Sequence, residues 1–98
     1  MDYKIYNNTD KKRFEVHSNG FIAFAEYKLA GSIISYTHTE VPKELSGKGI
    51  GSFMAKAVLD YALDNHLNVK PYCPFIKAYI DKHPQYQENS IFHNKNLK

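Results

Sequence analysis

The sequence predicts an α+β fold, and three observations carry that prediction. Residues 13–41 are rich in β-branched and aromatic side chains and are interrupted by short turn signals. From Ile50 onward, the apolar residues instead follow the period of a helix. Between these two regions lie three of the chain's 5 glycines, within residues 47–51. We refer to residues 47–51 as the Gly loop.

Three antiparallel strands are predicted in the first region. Arg13–His17 alternates apolar and polar residues, as a half-buried strand does. Ser18–Gly20 contains Asn-Gly, which is typical of a tight hairpin turn, and Phe21–Lys28 is the expected partner strand. A second turn at Leu29–Gly31 leads into Ser32–Val41, so the three strands should form a β-meander.

The second region predicts helix, strand and helix. One face of the first helix carries the apolar residues Ile50, Phe53, Met54, Ala57, Val58, Tyr61 and Ala62. This helix should end near Asn65 and His66, and a short strand should follow over Leu67–Tyr72. Pro74 suits the first turn of a second helix. We expect that helix to stop at His83-Pro84 and to point Phe75, Ile76, Tyr79 and Ile80 inward.

The domain organisation predicted from this pattern is simple. Residues 1–87 should form one domain, because 98 residues are enough for a single modest core. Residues 88–98 are mostly polar and rich in asparagine, which predicts a frayed tail.

Composition and charge exclude several classes of protein. A net charge of +3 is too low for a nucleic-acid-binding surface. The single cysteine excludes an intramolecular disulfide and a multi-cysteine zinc site, and no metal site is predicted. The first residues lack an apolar core, and no stretch reaches the length of a membrane span. We therefore expect a cytoplasmic protein without nucleic-acid or membrane partners.

The position of the Gly loop predicts a phosphate site. The loop joins a strand to the start of a long helix, where unpaired N–H groups and the helix dipole favour anions. Lys48 adds a positive charge. The G-x-G-x-G spacing fits neither a dinucleotide-binding fingerprint nor a P-loop. Taken alone, the loop is also compatible with a tight turn that only feeds the helix.

The surrounding residues make the prediction more specific. The stretch VPKELSGKGIG (Val41–Gly51) resembles the acetyl-coenzyme A motif of the GNAT superfamily of N-acetyltransferases, with Gly49 and Gly51 at the motif's glycine positions. Ser46 departs from the motif, which has Gln or Arg there. The blocks "HTEVP.EL.GKGIGS" and "V.PYCPFI..YI..HP.Y" extend the similarity to residues 13–87 and are similar to a small subfamily of minimal GNAT-like proteins.

This resemblance implies a truncated GNAT fold that binds acetyl-CoA (or CoA) and transfers the acetyl group to an amine that the sequence does not identify. The implied cofactor-binding residues are Val41, Ser46, Gly47, Lys48, Gly49, Ile50, Gly51, Ser52, Cys73 and Phe75. A CoA-binding module without transferase activity would share the same loop. We expect a monomer or a weak homodimer.

Four side chains are candidates for catalysis. Cys73 precedes the second helix and could carry the acetyl group or simply fill space. His38 and Glu40 should share one face of a strand and could accept the amine proton, unless a β-bulge interrupts the strand. Tyr79 corresponds to a region where larger family members have a tyrosine that protonates the departing thiolate, although it could instead pack in the core.

Overall fold

The computed structural model describes residues 3–97 and contains a five-stranded sheet with two α-helices. The elements in chain order are β1 (Tyr6–Asn8), β2 (Arg13–Ser18), β3 (Phe21–Ala30), β4 (Ile33–Glu40), a 3₁₀ turn (Lys43–Leu45), α1 (Ile50–Asp64), β5 (Asn68–Pro71), α2 (Pro74–Lys82) and a second 3₁₀ turn (Pro84–Tyr86). The predicted α+β order is confirmed. Strand β1 is an addition that the sequence did not predict.

The first four strands form the expected antiparallel meander, with β1 added at its edge. Asn19 and Gly20 have φ values of 52° and 80°, which confirms the tight hairpin turn between β2 and β3. The second turn differs from the prediction, because β3 continues to Ala30 and pairs Leu29 with Ile34. Gly31, with φ of 60°, supplies the left-handed conformation of the turn instead.

A β-bulge interrupts the pairing of β3 with β4. Tyr27 lies opposite Tyr36, and Glu26 lies opposite His38, so Thr37 is the extra residue on β4. Because side chains alternate along a strand, this extra residue places the buried Tyr36 and the exposed His38 on opposite faces. The bulge therefore decides which side chains at the end of β4 face the helices.

Strands β4 and β5 run parallel and separate before β4 ends. Their pairing covers Ile33–Tyr36 and Asn68–Pro71, whereas β4 continues to Glu40 beside β3 alone. The N–H group of Cys73 then donates to the carbonyl of Tyr36 at 2.9 Å and closes the base of the opening. We call this opening, bordered by residues 37–40 and Cys73, the β4–β5 split.

Both helices cover the same face of the sheet. The buried residues of α1 are Ile50, Met54, Ala55, Val58, Leu59 and Ala62, so the buried stripe is turned toward Ala55 and Leu59 relative to the prediction. The Tyr36 hydroxyl donates to the Val58 carbonyl at 2.5 Å and joins α1 to β4. Within residues 3–97, neither helix is long and apolar enough to cross a membrane.

Helix α2 buries fewer of its residues than expected. Ile76 and Ile80 are fully buried against the sheet, whereas Tyr79 is only partly buried. The predicted inward position of Phe75 is wrong, since this side chain is 43% exposed. It lies beside α1 rather than over the sheet, because the residues facing the sheet on α2 are four apart and Phe75 is one position off that row.

A buried carboxylate lies on the sheet face that the helices leave uncovered. The Glu15 side chain is 4% exposed and accepts hydrogen bonds from Arg13, His17 and Asn8 at 2.6, 2.8 and 3.1 Å. The hydrogen bond from His17, with those from Arg13 and Asn8, lowers the pKa of Glu15 to about 2 despite its burial. Since Asn8 belongs to β1, this charge also holds β1 in place.

Residues 89–93 are attached to the fold, whereas the sequence predicted a frayed tail there. The N–H of Val69 on β5 donates to Asn89, and the N–H of Ile91 donates back to Val69, each at 2.8 Å. The His93 ring bridges Ser90 and the α2 residue Asp81, at 2.7 and 2.6 Å, and its hydrogen bond lowers the pKa of Asp81. The boundary predicted at residue 87 therefore lies inside the folded unit.

The depressed pKa of Glu15 predicts a specific dependence of stability on pH. The ionised form contributes fully above the unfolded pKa of 4.5, and this contribution is lost as the pH falls through about 2. Glu15→Gln should lower the free energy of unfolding by about 1–3 kcal/mol near neutral pH. Urea unfolding at about pH 6 and about pH 3.5 should show a smaller difference between variant and wild type at the lower pH. Glu44→Gln, at an exposed position, is the control.

Candidate functional site

Two glycines of the Gly loop are required by the backbone. Gly47 and Gly49 have φ values of 77° and 75°, in the left-handed region that strains any residue with a Cβ. A Cβ placed on either residue would meet nothing within 4 Å. The turn therefore needs glycine for its shape, and the space beside these residues is open to a ligand.

Gly51 allows a close contact between the two helices. It lies in the first turn of α1, and a Cβ there would approach the Phe75 ring to 3.0 Å. The start of α2 thus packs directly on bare backbone at the start of α1. The cluster of glycines combines a tight turn with a close approach between two helices.

The start of α1 has the character of an anion site. Its first intrahelical hydrogen bond runs from the N–H of Phe53 to the carbonyl of Gly49 at 3.0 Å. The N–H groups of Ile50, Gly51 and Ser52 therefore have no acceptor within the helix. Among residues 3–97, no side chain caps the helix, and its first turn contains no acidic residue. The exposed Lys48 adds positive charge to the positive end of the helix dipole.

The side chains of three expected cofactor-binding residues already have partners within the protein. Val41 and Ile50 pack in a core cluster under the loop, so only their backbone groups are available to a ligand. The Ser46 hydroxyl donates to the carbonyl of Lys43 at 2.8 Å and stabilises the preceding turn. The loop therefore offers N–H groups and Lys48 rather than a set of polar side chains.

Cys73 lies at the base of the β4–β5 split. It is the N-cap residue of α2 and is 4% exposed. Its Sγ donates to the Oγ1 of Thr39 at 3.3 Å, which places both side chains on the helix side of the sheet. Thr39 was not predicted as a site residue. The alternation of side chains along the strand could have indicated it, because Thr39 lies between His38 and Glu40 and therefore points to the opposite face.

His38 and Glu40 form a pair on the uncovered face of the sheet. His38 Nε2 lies 3.1 Å from Glu40 Oε1, and the two side chains are 53% and 58% exposed. The predicted shared face is confirmed, because the bulge at Thr37 precedes both residues. The structure therefore brings His38 and Glu40 together but separates their side chains from Cys73 by the thickness of β4.

Tyr79 lies away from the split, on the side of α2 that faces α1. Its ring stacks on that of His83 with centroids 3.9 Å apart. It borders a hollow of about 210 Å³ lined by Ser52, Phe75, Ala78, Tyr79, Lys82 and His83. His83 Nδ1 also lies 2.7 Å from the Tyr79 carbonyl, so His83 ends the helix as expected. Tyr79 and Phe75 thus belong with the start of α1.

Comparison with known proteins agrees with this arrangement. The family model described as GCN5-related N-acetyl-transferase matches residues 13–89. The mouse protein NATD1 is 32% identical over 90 residues, covering 87% of this chain and 82% of its own, and zebrafish NATD1 is 34% identical over 89 residues, covering 84% and 81%. The solution structure of a GCN5-like protein from Staphylococcus aureus superposes with a TM-score of 0.68 at 29% identity, covering 89% of this chain and 86% of that one.

The chain therefore belongs to the GCN5-related N-acetyltransferase family. The truncated fold that the sequence predicted, with strands, loop, helix, strand and helix in that order, is confirmed. Membership of this family makes the protein an acetyltransferase by class.

The contact between Gly51 and Phe75 predicts energetic coupling. In a Phe75→Ala background, Gly51→Ala should stabilise the protein by about 0.5–1 kcal/mol, because alanine loses less conformational entropy than glycine in a helix. With Phe75 present, the contact at 3.0 Å should cancel that gain. Urea unfolding of the four proteins in this double-mutant cycle measures the coupling, and additive effects would contradict it.

Proposed function

We propose that this protein binds acetyl-CoA across the Gly loop and the β4–β5 split and transfers the acetyl group directly to an amine. The observation that carries the proposal is the position of an uncapped helix start beside a strand that has lost its neighbour. The family of the chain supports the same assignment. The acceptor amine stays open.

The donors at the start of α1 suit the pyrophosphate of CoA. Backbone N–H groups of Ile50, Gly51 and Ser52 can donate to phosphate oxygens without any particular side chain. The absence of a Cβ at Gly47 and Gly49 allows close approach, and Lys48 supplies a cation. This backbone-based site explains why Ser46 can replace the Gln or Arg of the family motif.

The free edge of β4 suits the acyl end of the ligand. Residues 37–40 have a neighbouring strand on one side only, so polar backbone groups point into the split. When bound, acetyl-CoA supplies an activated thioester carbonyl. Backbone N–H groups of β4 that point toward this carbonyl oxygen would stabilise the negative charge that develops on it.

The His38 and Glu40 pair suits the removal of a proton from the acceptor amine. Both side chains are exposed on the uncovered face of the sheet, so an amine can reach them without entering the core. Either group can serve as a base directly or through a water molecule. The acceptor would then approach from the face opposite the helices.

The surroundings of Cys73 favour direct transfer over an acetyl-cysteine. The thiol donates its hydrogen to Thr39 and is 4% exposed. A thiol that is buried and engaged as a donor is poorly prepared to act as a nucleophile, since the thiolate is the reactive form. We assign Cys73 to the wall of the split.

Binding is tested by reversing the charge at Lys48. Isothermal titration should detect CoA binding to the wild type, and Lys48→Glu should weaken it about tenfold, because the substitution places a negative charge beside the phosphates. Lys28→Glu is the control, because it makes the same charge change away from the loop. Lys28 lies on β3 opposite Ser35, roughly 17 Å along β4 from Glu40, the last residue of that strand. Equal affinities for the two variants would contradict a phosphate site at the loop.

Catalysis is tested by three single variants and intact-mass spectrometry. Glu40→Gln or His38→Ala should lower kcat/KM with a model amine on the order of 10²–10⁴, the usual contribution of a general base. Cys73→Ala should keep most of the activity, and incubation with acetyl-CoA should leave the wild-type mass unchanged.

Two results would overturn this mechanism. An acetyl adduct that disappears in Cys73→Ala together with turnover would establish a covalent route. CoA binding without any turnover that depends on these three residues would instead identify a non-catalytic CoA-binding module.

A further inference from the structure

We infer that Tyr3 is a positioning residue that fixes one N–H donor of the Gly loop. Its hydroxyl donates to the carbonyl of Lys48 at 3.1 Å, across 45 residues of sequence. This inference rests on the proposed function, because it gives the orientation of the loop a role in holding phosphate. Tyr3 also lies outside residues 13–89, which the family model matches.

The geometry of a single peptide unit carries the inference. The carbonyl of Lys48 and the N–H of Gly49 belong to one peptide plane, and residues 3–97 contain no cis bond. In a trans peptide the C=O and N–H point in opposite directions. A hydroxyl that holds the carbonyl on one side therefore directs the Gly49 N–H to the other side.

This peptide unit needs an external restraint more than most. Glycines flank Lys48 on both sides, and glycine accepts positive and negative φ about equally. Rotation of the Lys48–Gly49 peptide would turn its N–H away from a bound phosphate and turn a carbonyl oxygen toward it. Because a carbonyl repels an anion, loss of the restraint should act on binding of phosphate in particular.

The tyrosine ring is itself held by the helix that the loop precedes. It packs edge-to-face on Phe53 of α1, with centroids 5.6 Å apart. Ile5, two residues further along the chain, packs against buried core residues. The hydroxyl is thus fixed relative to α1, and it keeps the Gly49 N–H in register with the N–H groups of the first helical turn.

Tyr3→Phe tests the role because it removes the hydroxyl and keeps the ring. The variant should bind CoA and inorganic pyrophosphate about three- to tenfold more weakly, the effect of one hydrogen bond. Its affinity for pantetheine, which lacks the pyrophosphate, should stay within about twofold of the wild type. Tyr6→Phe is the matched control, since the Tyr6 ring lies against His17 on the other face of the sheet.

Amide NMR of the free protein gives a readout that does not need CoA. The Gly49 amide signal should shift or broaden in Tyr3→Phe and stay in place in Tyr6→Phe. If the wild type fails to bind CoA, the proposed function fails, and the Gly49 signal still decides the hydrogen bond. An unchanged Gly49 signal, or equal losses of pyrophosphate and pantetheine affinity, would overturn the positioning role.

Discussion

Tyr36 is the residue on which the arrangement of the site depends. It is the last residue of β4 in register with β5, its hydroxyl donates to α1, and its carbonyl accepts from Cys73 at the start of α2. One residue thus joins the sheet to both helices at the point where the strands separate. Because Tyr36 is only 1% exposed, its loss would remove this hydrogen bond and leave a cavity between the sheet and α1.

The residue that follows Tyr36 determines how the two faces of the sheet are used. The bulge at Thr37 directs Thr39 toward Cys73 on the helix side and directs His38 and Glu40 to the uncovered side. In a regular strand without the bulge, His38 and Glu40 would share the face of the buried Tyr36, and the carboxylate would point toward the core. The bulge therefore separates Thr39 and Cys73, on the helix side of the sheet, from the exposed pair of His38 and Glu40 on the other side.

Much of this could be predicted from the sequence, and the exceptions have physical causes. Periodicity predicted β2, β3, α1 and α2 to within a few residues, because each element carries its own apolar pattern. Strand β1 was not predicted, since Tyr6–Asn8 has no alternation of apolar and polar residues. It is held instead by hydrogen bonds to the Glu15 carboxylate and the Tyr27 hydroxyl. The glycine motif predicted the position of the loop. The contact of Tyr3 with Lys48 joins residues that are 45 positions apart, so no local sequence pattern predicts it. Phe75 was misplaced because its partner is a glycine on another helix.

The backbone pairing of residues 89–91 was also not predicted, because a polar, asparagine-rich sequence carries no pattern that indicates such pairing. Their pairing with Val69 matters beyond the local geometry, since β5 is the last strand of the sheet. An uncovered edge strand offers unpaired backbone groups to any other extended chain. A fragment cut at residue 87, where the family-like pattern ends, would expose that edge. This short terminal segment therefore protects the folded protein against edge-to-edge self-association.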